Sequence, residues 1–307
     1  MAEQLGFESV WAAEGQGKTA FGKLERWATV TDDIGLATGI VNVFSRTPAA
    51  TAQAIATLDA HSDGRAILGL GVAHPGVIEG FHGTEFDRPL PRIAEYIRLV
   101  RRYLEGDPSS FDGEFFTPER TSFWEAFEPQ RAEIPIYNAA LGPANVRLTG
   151  QLADGWLPNL YPRAEFRRAC EWLETGLERG DRERADIDVA MYVLVSVDDD
   201  PAVAQEAAAR HVATYFRDIP GYYDRVAADA GFESMIEEIE AAPTMDAAVD
   251  AVDDEFLTHV AVAGNEASVR SQLEELRAAG VDLPIVRAPI GADRSAVEAI
   301  LRSAQPS

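Results

Sequence analysis

Lysine is almost absent from this sequence, and the arginines do not balance the acidic residues. Lys18 and Lys23 are the only lysines among 307 residues, and 51 Asp and Glu face 27 Lys and Arg, which gives a formal net charge of −24. Such a charge repels itself at ordinary ionic strength, whereas molar salt shortens the Debye length to about 3 Å and screens the repulsion. The charge therefore favours a halophilic protein over a merely acidic mesophilic one. The anionic surface also argues against nucleic acid and anionic membranes as partners.

Cysteine, long apolar runs and metal-ligand spacings are also scarce. Cys170 is the only cysteine, so no internal disulfide can form. No run approaches the roughly 20 apolar residues that span a bilayer, and no basic-then-apolar leader opens the chain. No CxxC, HExxH or paired-histidine spacing is present, so we expect no metal site. These absences favour a soluble, cytoplasmic protein.

What is present is an alternation of short apolar runs and amphipathic stretches, the pattern of βαβ units and a parallel sheet. Seven runs are predicted to be strands, at residues 9–13, 34–41, 66–71, 134–138, 155–157, 187–197 and 283–287. The length suits a parallel (β/α)8 barrel, which takes about 250 residues plus insertions. A closed barrel needs eight strands, and residues 1–6 are predicted to be the end of a helix. We therefore expect the first strand to be missing, either because the true start lies upstream of Met1, which we favour, or because the barrel is open at one side.

Two segments interrupt the alternation and are predicted to be insertions in one domain that covers residues 1–307. Residues 106–133 are rich in aromatics and contain Asp112-Gly113, a hairpin signal. Residues 198–258 are predicted to be almost wholly helical. Both insertions are expected to shape the substrate pocket.

Three segments, at 38–48, 64–75 and 138–145, join a strand to a helix through small or polar residues. In a β/α barrel the carboxyl ends of the strands build the active-site face. Gly69 and Gly71 indicate a close approach of another backbone or a ligand, but position 74 is histidine, so the third glycine of a dinucleotide fingerprint is missing. The third segment fits either a phosphate held at a helix N-terminus or a plain helix start.

Taken in this order, the segments resemble the luciferase-like monooxygenase superfamily, in particular its haloarchaeal, coenzyme F-420-dependent oxidoreductase branch. The likeness covers nearly the whole chain and includes residues 57–65, 77–83, 89–96 and 152–156. It implies an α/β fold, the TIM barrel of the bacterial luciferase type, and hydride transfer between the deazaflavin and a small organic substrate. Two alternatives stay open, an FMN-dependent monooxygenase and a non-catalytic cofactor-binding homologue. Because dimers are common in the family, a homodimer is also expected.

The resemblance also assigns residues to the cofactor. The expected cofactor-binding residues are Gly39, Ile40, Asn42, Ala140, Leu141 and Gly142. A cis peptide bond at Gly39-Ile40, or next to it, would back the deazaflavin ring, and Asn42 would lie beside the ring or its ribityl chain. The N–H groups of residues 140–142 would hold the coenzyme phosphate, and residues 154–156 would support that pocket from the next strand.

Glu14 and His74 are the candidate catalytic residues. Relatives often carry a histidine directly after the acid of the early strand, whereas this chain has Glu14-Gly15. Because histidine side chains in general suit proton transfer near neutral pH, His74 is expected either to act as the acid/base partner of hydride transfer or only to line the pocket. Glu14 has the same two alternatives. Sugar-phosphate dehydrogenases of the family bind the substrate phosphate with lysines, and no lysine lies beyond Lys23, which argues against a sugar phosphate.

Overall fold

The structure is a computed structural model that describes residues 1–124, 127–219, 221 and 223–306. The chain divides into two compact units. The first holds Met1–Ala140, Ala144–Trp156 and Leu173–Ile187, and the second holds Leu141–Pro143, Leu157–Trp172 and Asp188–Ser307. The expectation of a single domain stays a prediction. No helix among the described residues is long and apolar enough to cross a membrane.

The first unit is built on parallel strands. These are β1 (Ser9–Ala12), β2 (Gly35–Thr38), β3 (Val41–Asn42), β4 (Ala66–Gly71), β5 (Ile136–Asn138) and β6 (Gly155–Trp156). They pair in the order β1-β2-β4-β5-β6, and β3 pairs with the end of β4. The helices from this part of the chain are α1 (Ala20–Ala28), α2 (Pro48–His61), α3 (Pro75–Gly80), α4 (Pro89–Glu105), α5 (Pro143–Leu152) and α6 (Arg163–Arg179).

Local sequence explains how these helices begin and what they bury. The Thr47 hydroxyl accepts the Ala50 N–H, and Pro48 occupies the first position of α2, where its missing N–H costs nothing. The predicted apolar face of α4 is buried, including Ile93 and Ile97. Leucines and isoleucines of the strands complete the core of this unit, so that both faces of the sheet are covered, as a parallel sheet requires.

The second unit contains the parallel strands β7 (Asp188–Val197), β8 (Ala261–Gly264) and β9 (Leu283–Arg287), and both β8 and β9 pair with β7. Its helices are α7 (Pro201–Asp218), α8 (Tyr223–Asp229), α9 (Glu233–Ala241), α10 (Met245–Asp250), α11 (Asp254–Val260), α12 (Glu266–Ala278) and α13 (Arg294–Ser303). Helices α7 to α11 agree with the predicted helical insertion, although residues 220 and 222 lie outside the described part. Phe216 and Phe256 pack edge to face in the core of this unit.

The predicted count of seven strands is wrong. The predicted strand at 34–41 is two segments, β2 and β3, and the short strand β8, which follows the predicted helical region 198–258, was not predicted. The chain reverses direction near the predicted hairpin, but at residues 114 and 115 rather than at Asp112-Gly113, and the Phe111 N–H donates across the reversal to the Pro118 carbonyl at 3.1 Å. The Gly113 N–H donates to the Phe116 carbonyl at 3.1 Å, but the described residues of 106–133 contain no strand. Residues 125 and 126 of this insertion lie outside the described part.

Candidate cofactor site

The chain leaves β2 through a cis peptide bond between Gly39 and Ile40. The Gly39 N–H donates to the Ala12 carbonyl at 2.9 Å, and the Glu14 N–H donates to the Ile40 carbonyl at 3.2 Å. The end of β1 therefore holds the turn that follows β2. The expected position of the cis bond is confirmed, whereas contact of Gly39 and Ile40 with a cofactor stays a prediction.

The three predicted strand-to-helix segments meet at Gly71. A Cβ atom added to Gly71 would lie 2.8 Å from Ile40 Cδ1 and 3.2 Å from Ala139 Cβ. Main-chain hydrogen bonds join the same strand ends, because the Val43 N–H donates to the Gly71 carbonyl at 3.1 Å and the Ala139 N–H donates to the Leu70 carbonyl at 2.8 Å. An added Cβ would force the Ile40 side chain to shift, so Gly71 is a point of close approach, but the atoms that approach it belong to side chains rather than to the backbone or ligand that was predicted.

Polar side chains at the same strand ends bond to the main chain. The buried Thr38 hydroxyl donates to the Gly69 carbonyl and accepts the Gly69 N–H, both at 2.8 Å. Asn42 is also buried, and its Oδ1 accepts the N–H groups of Phe44 at 3.0 Å and Ser45 at 2.7 Å. Asn42 thus shapes the loop that follows β3. Its expected contact with the cofactor stays a prediction.

The Glu14 carboxylate is held by an ion pair and a main-chain hydrogen bond. Arg46 donates to it through Nε at 2.9 Å and through a terminal nitrogen at 3.2 Å, and the Ala20 N–H donates to Oε2 at 2.8 Å. The Arg46 guanidinium also lies 5.1 Å from the centre of the Phe21 ring. Both carboxylate oxygens are engaged, an arrangement that suits the holding of this loop better than proton transfer.

His74 is the N-cap residue of α3 and is partly exposed. Its Nδ1 accepts the Gly76 N–H at 3.0 Å. Because Nδ1 is the acceptor, the neutral ring carries its proton on Nε2. The side chain is therefore both fixed in place and able to donate a proton. Whether it does so in catalysis stays a prediction.

Two buried side chains fix the loop that follows β5. The Trp156 indole N–H donates to the Ala140 carbonyl at 2.8 Å. Asn138 Nδ2 donates to Asn145 Oδ1 at 3.0 Å and to Thr149 Oγ1 at 2.8 Å, which ties the end of β5 to α5. The expected support from β6 is thus present in Trp156.

Main-chain donors are available in this loop. In the described part of the chain, no hydrogen bond uses the N–H of Ala140, Leu141 or Gly142 as its donor. A Cβ atom added to Gly142 would meet no atom within 4 Å. N–H groups without partners at the start of a helix suit an anion such as phosphate. The residues present therefore fit a phosphate-bearing group.

Sequence reasoning missed Arg46 and Tyr137. Arg46 lies in the first predicted segment, but nothing in the sequence pairs it with Glu14, 32 positions away. The Tyr137 ring lies where a side chain on Gly155 would otherwise be, and it packs edge to face on Trp11 with ring centres 5.4 Å apart. A glycine opposite a tyrosine on adjacent strands is the only signal that could have revealed this contact.

The profile of the Luciferase-like monooxygenase family matches residues 1–283. The chain belongs to this family. It is 34% identical over 306 residues to a Mycobacterium tuberculosis protein named as a coenzyme F-420-dependent oxidoreductase, a match that covers 94% of this chain and 88% of that protein. It is 31% identical over 310 residues to 5,10-methylenetetrahydromethanopterin reductase of Methanopyrus kandleri, covering 96% of this chain and 88% of the reductase.

Solved structures agree with this membership in the luciferase-like family. The coenzyme F-420-dependent tetrahydromethanopterin reductase of Methanopyrus kandleri superposes with a TM-score of 0.84 at 30% identity and covers 99% of this chain and 91% of its own. An F-420-dependent secondary alcohol dehydrogenase superposes with a TM-score of 0.79 at 18% identity, covers 99% of this chain and 92% of its own, and bears on the fold alone. The expected α/β barrel fold of the luciferase type is confirmed.

Proposed function

We propose that this protein is a coenzyme F-420-dependent oxidoreductase that transfers hydride between the deazaflavin and a small organic substrate. The bound deazaflavin supplies or accepts the hydride, and the protein binds it, orients it and excludes water. The observation that carries the proposal is the meeting of Ile40, Gly71 and Ala139 at the strand ends of the first unit. The names of the relatives from Mycobacterium tuberculosis and Methanopyrus kandleri support the same cofactor.

Each predicted residue has a role in this proposal. Gly39, Ile40 and Asn42 would hold the ring, and the N–H groups of residues 140–142 would hold the phosphate. His74 donates or accepts the proton that accompanies hydride transfer, through Nε2, while Glu14 and its ion pair hold the neighbouring loop. If a His74→Gln variant binds the coenzyme and turns over substrate like the unmodified protein, the proposed role of His74 in proton transfer is contradicted.

The proposal also covers the salt concentration in which the enzyme works, its location and its oligomeric state. The net charge of −24 supports activity in the molar salt of a halophilic cytosol, because salt at that concentration screens surface repulsion. Because dimers are common in the family, we also propose that the protein is a homodimer. The dependence of stability on salt tests the halophilic part.

The cofactor can be tested by direct binding. The purified protein in molar KCl is titrated with oxidised coenzyme F-420 and, separately, with FMN, and binding is followed by quenching of cofactor fluorescence. We expect saturable binding of coenzyme F-420 and much weaker binding of FMN. Tight FMN binding without coenzyme F-420 binding would favour the monooxygenase alternative. Binding of coenzyme F-420 without turnover of any substrate in a broad screen would favour the non-catalytic homologue.

A matched pair of glycine variants tests the phosphate-binding loop. Gly142 and Gly80 both have negative φ, and a Cβ atom added to either would meet open space, so neither substitution should disturb folding. Gly142→Val adds a branched side chain to the loop that carries these N–H groups, and we expect it to weaken coenzyme F-420 binding by about tenfold or more, or 1.4 kcal/mol. Gly80→Val should bind like the unmodified protein. Equal affinity in both variants would contradict the assignment of residues 140–142.

A further inference from the structure

Arg287 is the last residue of β9 and carries a charge without an acidic partner. It is partly buried, and no carboxylate of the described residues forms an ion pair with it. By contrast, Arg210, Arg270 and Arg294 of the same unit each pair with an Asp or Glu. A partly buried arginine that no described Asp or Glu neutralises, in a chain this acidic, indicates a binding site for another anion.

The groups around Arg287 are polar or aromatic and uncharged. A terminal nitrogen of its guanidinium lies 3.5 Å from Asn159 Oδ1, and its Cζ lies 5.0 Å from the centre of the Tyr215 ring. Asn159 Nδ2 donates to the Tyr223 hydroxyl oxygen at 3.0 Å. Because this oxygen is the acceptor, the hydroxyl hydrogen of Tyr223 is free to donate elsewhere. Burial raises the pKa of Tyr223 to about 12, so the hydroxyl keeps that hydrogen at neutral pH.

A buried histidine next to these groups also has an unused donor. His211 is 1% exposed, and its ring stacks on Tyr215 with centres 4.9 Å apart. Its Nδ1 accepts the Ile290 N–H at 3.1 Å, so the neutral ring carries its proton on Nε2, and this buried nitrogen has no partner in the described chain. Burial and the charge of Arg287 lower the pKa of His211 to about 3. Arg287 is therefore the only cation of the cluster at neutral pH.

We propose that Arg287, Asn159 and Tyr223 bind the carboxylate of a small organic acid, with the Tyr215 ring as an apolar wall, and that this acid is the substrate. The second part rests on the proposed function. A guanidinium matches a carboxylate through two parallel N–H donors. A single cation balances a monoanion better than a phosphate dianion. Arg287 lies at the carboxyl end of β9, and β/α barrels carry their active sites at the carboxyl ends of their strands. The bound acid is therefore assigned the role of substrate.

The test uses the whole protein in molar KCl without added cofactor. Binding of propionate, pentanoate and phenylacetate is measured by saturation-transfer NMR, each against its own neutral amide, with inorganic phosphate as a competitor. We expect at least one acid to bind, its amide to bind at least about tenfold more weakly, and phosphate to compete poorly. Acids and amides that bind equally, no binding of any acid, or preferential binding of phosphate would overturn the proposal.

Two variants locate the site. Arg287→Met should weaken binding of the acid at least about tenfold, and Arg287→Lys should be intermediate because it keeps the charge but loses the two-pronged geometry. Arg270→Met makes the same change in net charge at a surface ion pair of the same unit and should bind like the unmodified protein. Unchanged binding in Arg287→Met, or equal losses in the Arg287 and Arg270 variants, would contradict the site. Thermal unfolding of each variant checks that it is folded.

Coenzyme F-420 binding, measured on the same samples, separates the two proposals. Protein that binds an acid through Arg287 but does not bind coenzyme F-420 would contradict the proposed function and leave the carboxylate site standing. Protein that binds coenzyme F-420 but no acid would contradict the carboxylate site alone.

Discussion

His211 is a buried residue whose packing makes the stability of the protein depend on pH. Its neutral ring is stacked on Tyr215, and burial together with Arg287 lowers its pKa from an ordinary value of 6.5 to about 3. The unfolded chain therefore takes up a proton as the pH falls through 6.5, while the folded chain does not until about pH 3. Stability from this residue is fully present above pH 6.5 and is lost progressively below it, by about 1.4 kcal/mol per pH unit.

A His211→Gln variant tests this linkage. Glutamine does not titrate, and its amide oxygen can still accept the Ile290 N–H. The free energy of unfolding is measured by urea titration for both proteins at about pH 7 and about pH 5. Between these values we expect the unmodified protein to lose about 2 kcal/mol more than the variant. The many carboxylates titrate in both proteins and cancel in the comparison. A difference that does not change with pH would contradict the lowered pKa.

The role of a single residue could be predicted from the sequence only where the residue type and its immediate sequence neighbours determine that role. Gly71 was predicted as a point of close approach because a strand with two glycines invites one, and the Ile40 side chain is what approaches. Arg46 could not be predicted as the partner of Glu14, because residues 32 positions apart leave no periodic signal. The sequence equally gives no sign that Arg287 forms no ion pair with any described carboxylate, because that can be recognised only once its neighbours are known.

At the level of secondary structure elements, helices α5 and α6 touch through their backbones. A Cβ atom on Gly176 would collide with the Arg147 carbonyl oxygen, and one on Gly150 would collide with the Leu173 carbonyl oxygen. Glycine inside a helix is disfavoured by about 1 kcal/mol relative to alanine. Both glycines are therefore explained by the contact between the helices rather than by helix formation.

Gly176→Ala is expected to destabilise the protein despite its better helix propensity. Two backbones cannot move apart as easily as a side chain can rotate, so we expect a loss of about 1–3 kcal/mol in the free energy of unfolding. Gly80→Ala is the matched control, because Gly80 also lies in a helix but has no atom within 4 Å of an added Cβ. It should be neutral or stabilising by up to about 1 kcal/mol. Urea unfolding of both variants gives the comparison, and equal stabilities would disprove the close packing.

Most helices and strands could be predicted from the sequence, because hydrophobic periodicity marks their extent and residues such as glycine and proline mark their ends. The apolar face of α4 and the proline at the start of α2 were both predicted and are both present. Strand β8 was missed because its four residues, Ala261–Gly264, follow a helix directly and contain one β-branched side chain. Such a strand is defined by its pairing with Leu194–Val197 of β7, which no local signal reveals. The aromatic insertion reverses direction near the predicted hairpin, but its described residues form no strand, because a turn signal does not by itself create a strand ladder.

For the whole molecule, the net charge of −24 sets the dependence of stability on salt. The Debye length is about 10 Å at 0.1 M salt and about 3 Å at 1 M. We expect the midpoint of thermal unfolding to rise steeply as KCl increases between these concentrations. Circular dichroism melts over a KCl series measure it, and a midpoint that does not move would contradict the halophilic interpretation.

A charge-reduced variant gives the control for this prediction. Glu237, Glu238 and Glu240 are exposed on α9, and replacing all three with glutamine changes the net charge from −24 to −21 without touching the core. If repulsion is the cause, the variant should reach the same midpoint at lower KCl than the unmodified protein. Identical salt curves for the two proteins would point to a salt effect other than screening.

The bond from the Trp156 indole to the Ala140 carbonyl has a consequence for the direction of the next donor. The Ala140 carbonyl and the Leu141 N–H belong to one planar trans peptide and point to opposite sides of the chain. By holding the oxygen, the buried ring aims the hydrogen away from itself. Rotation of this single plane is thus governed by a residue of strand β6 that would never touch the anion.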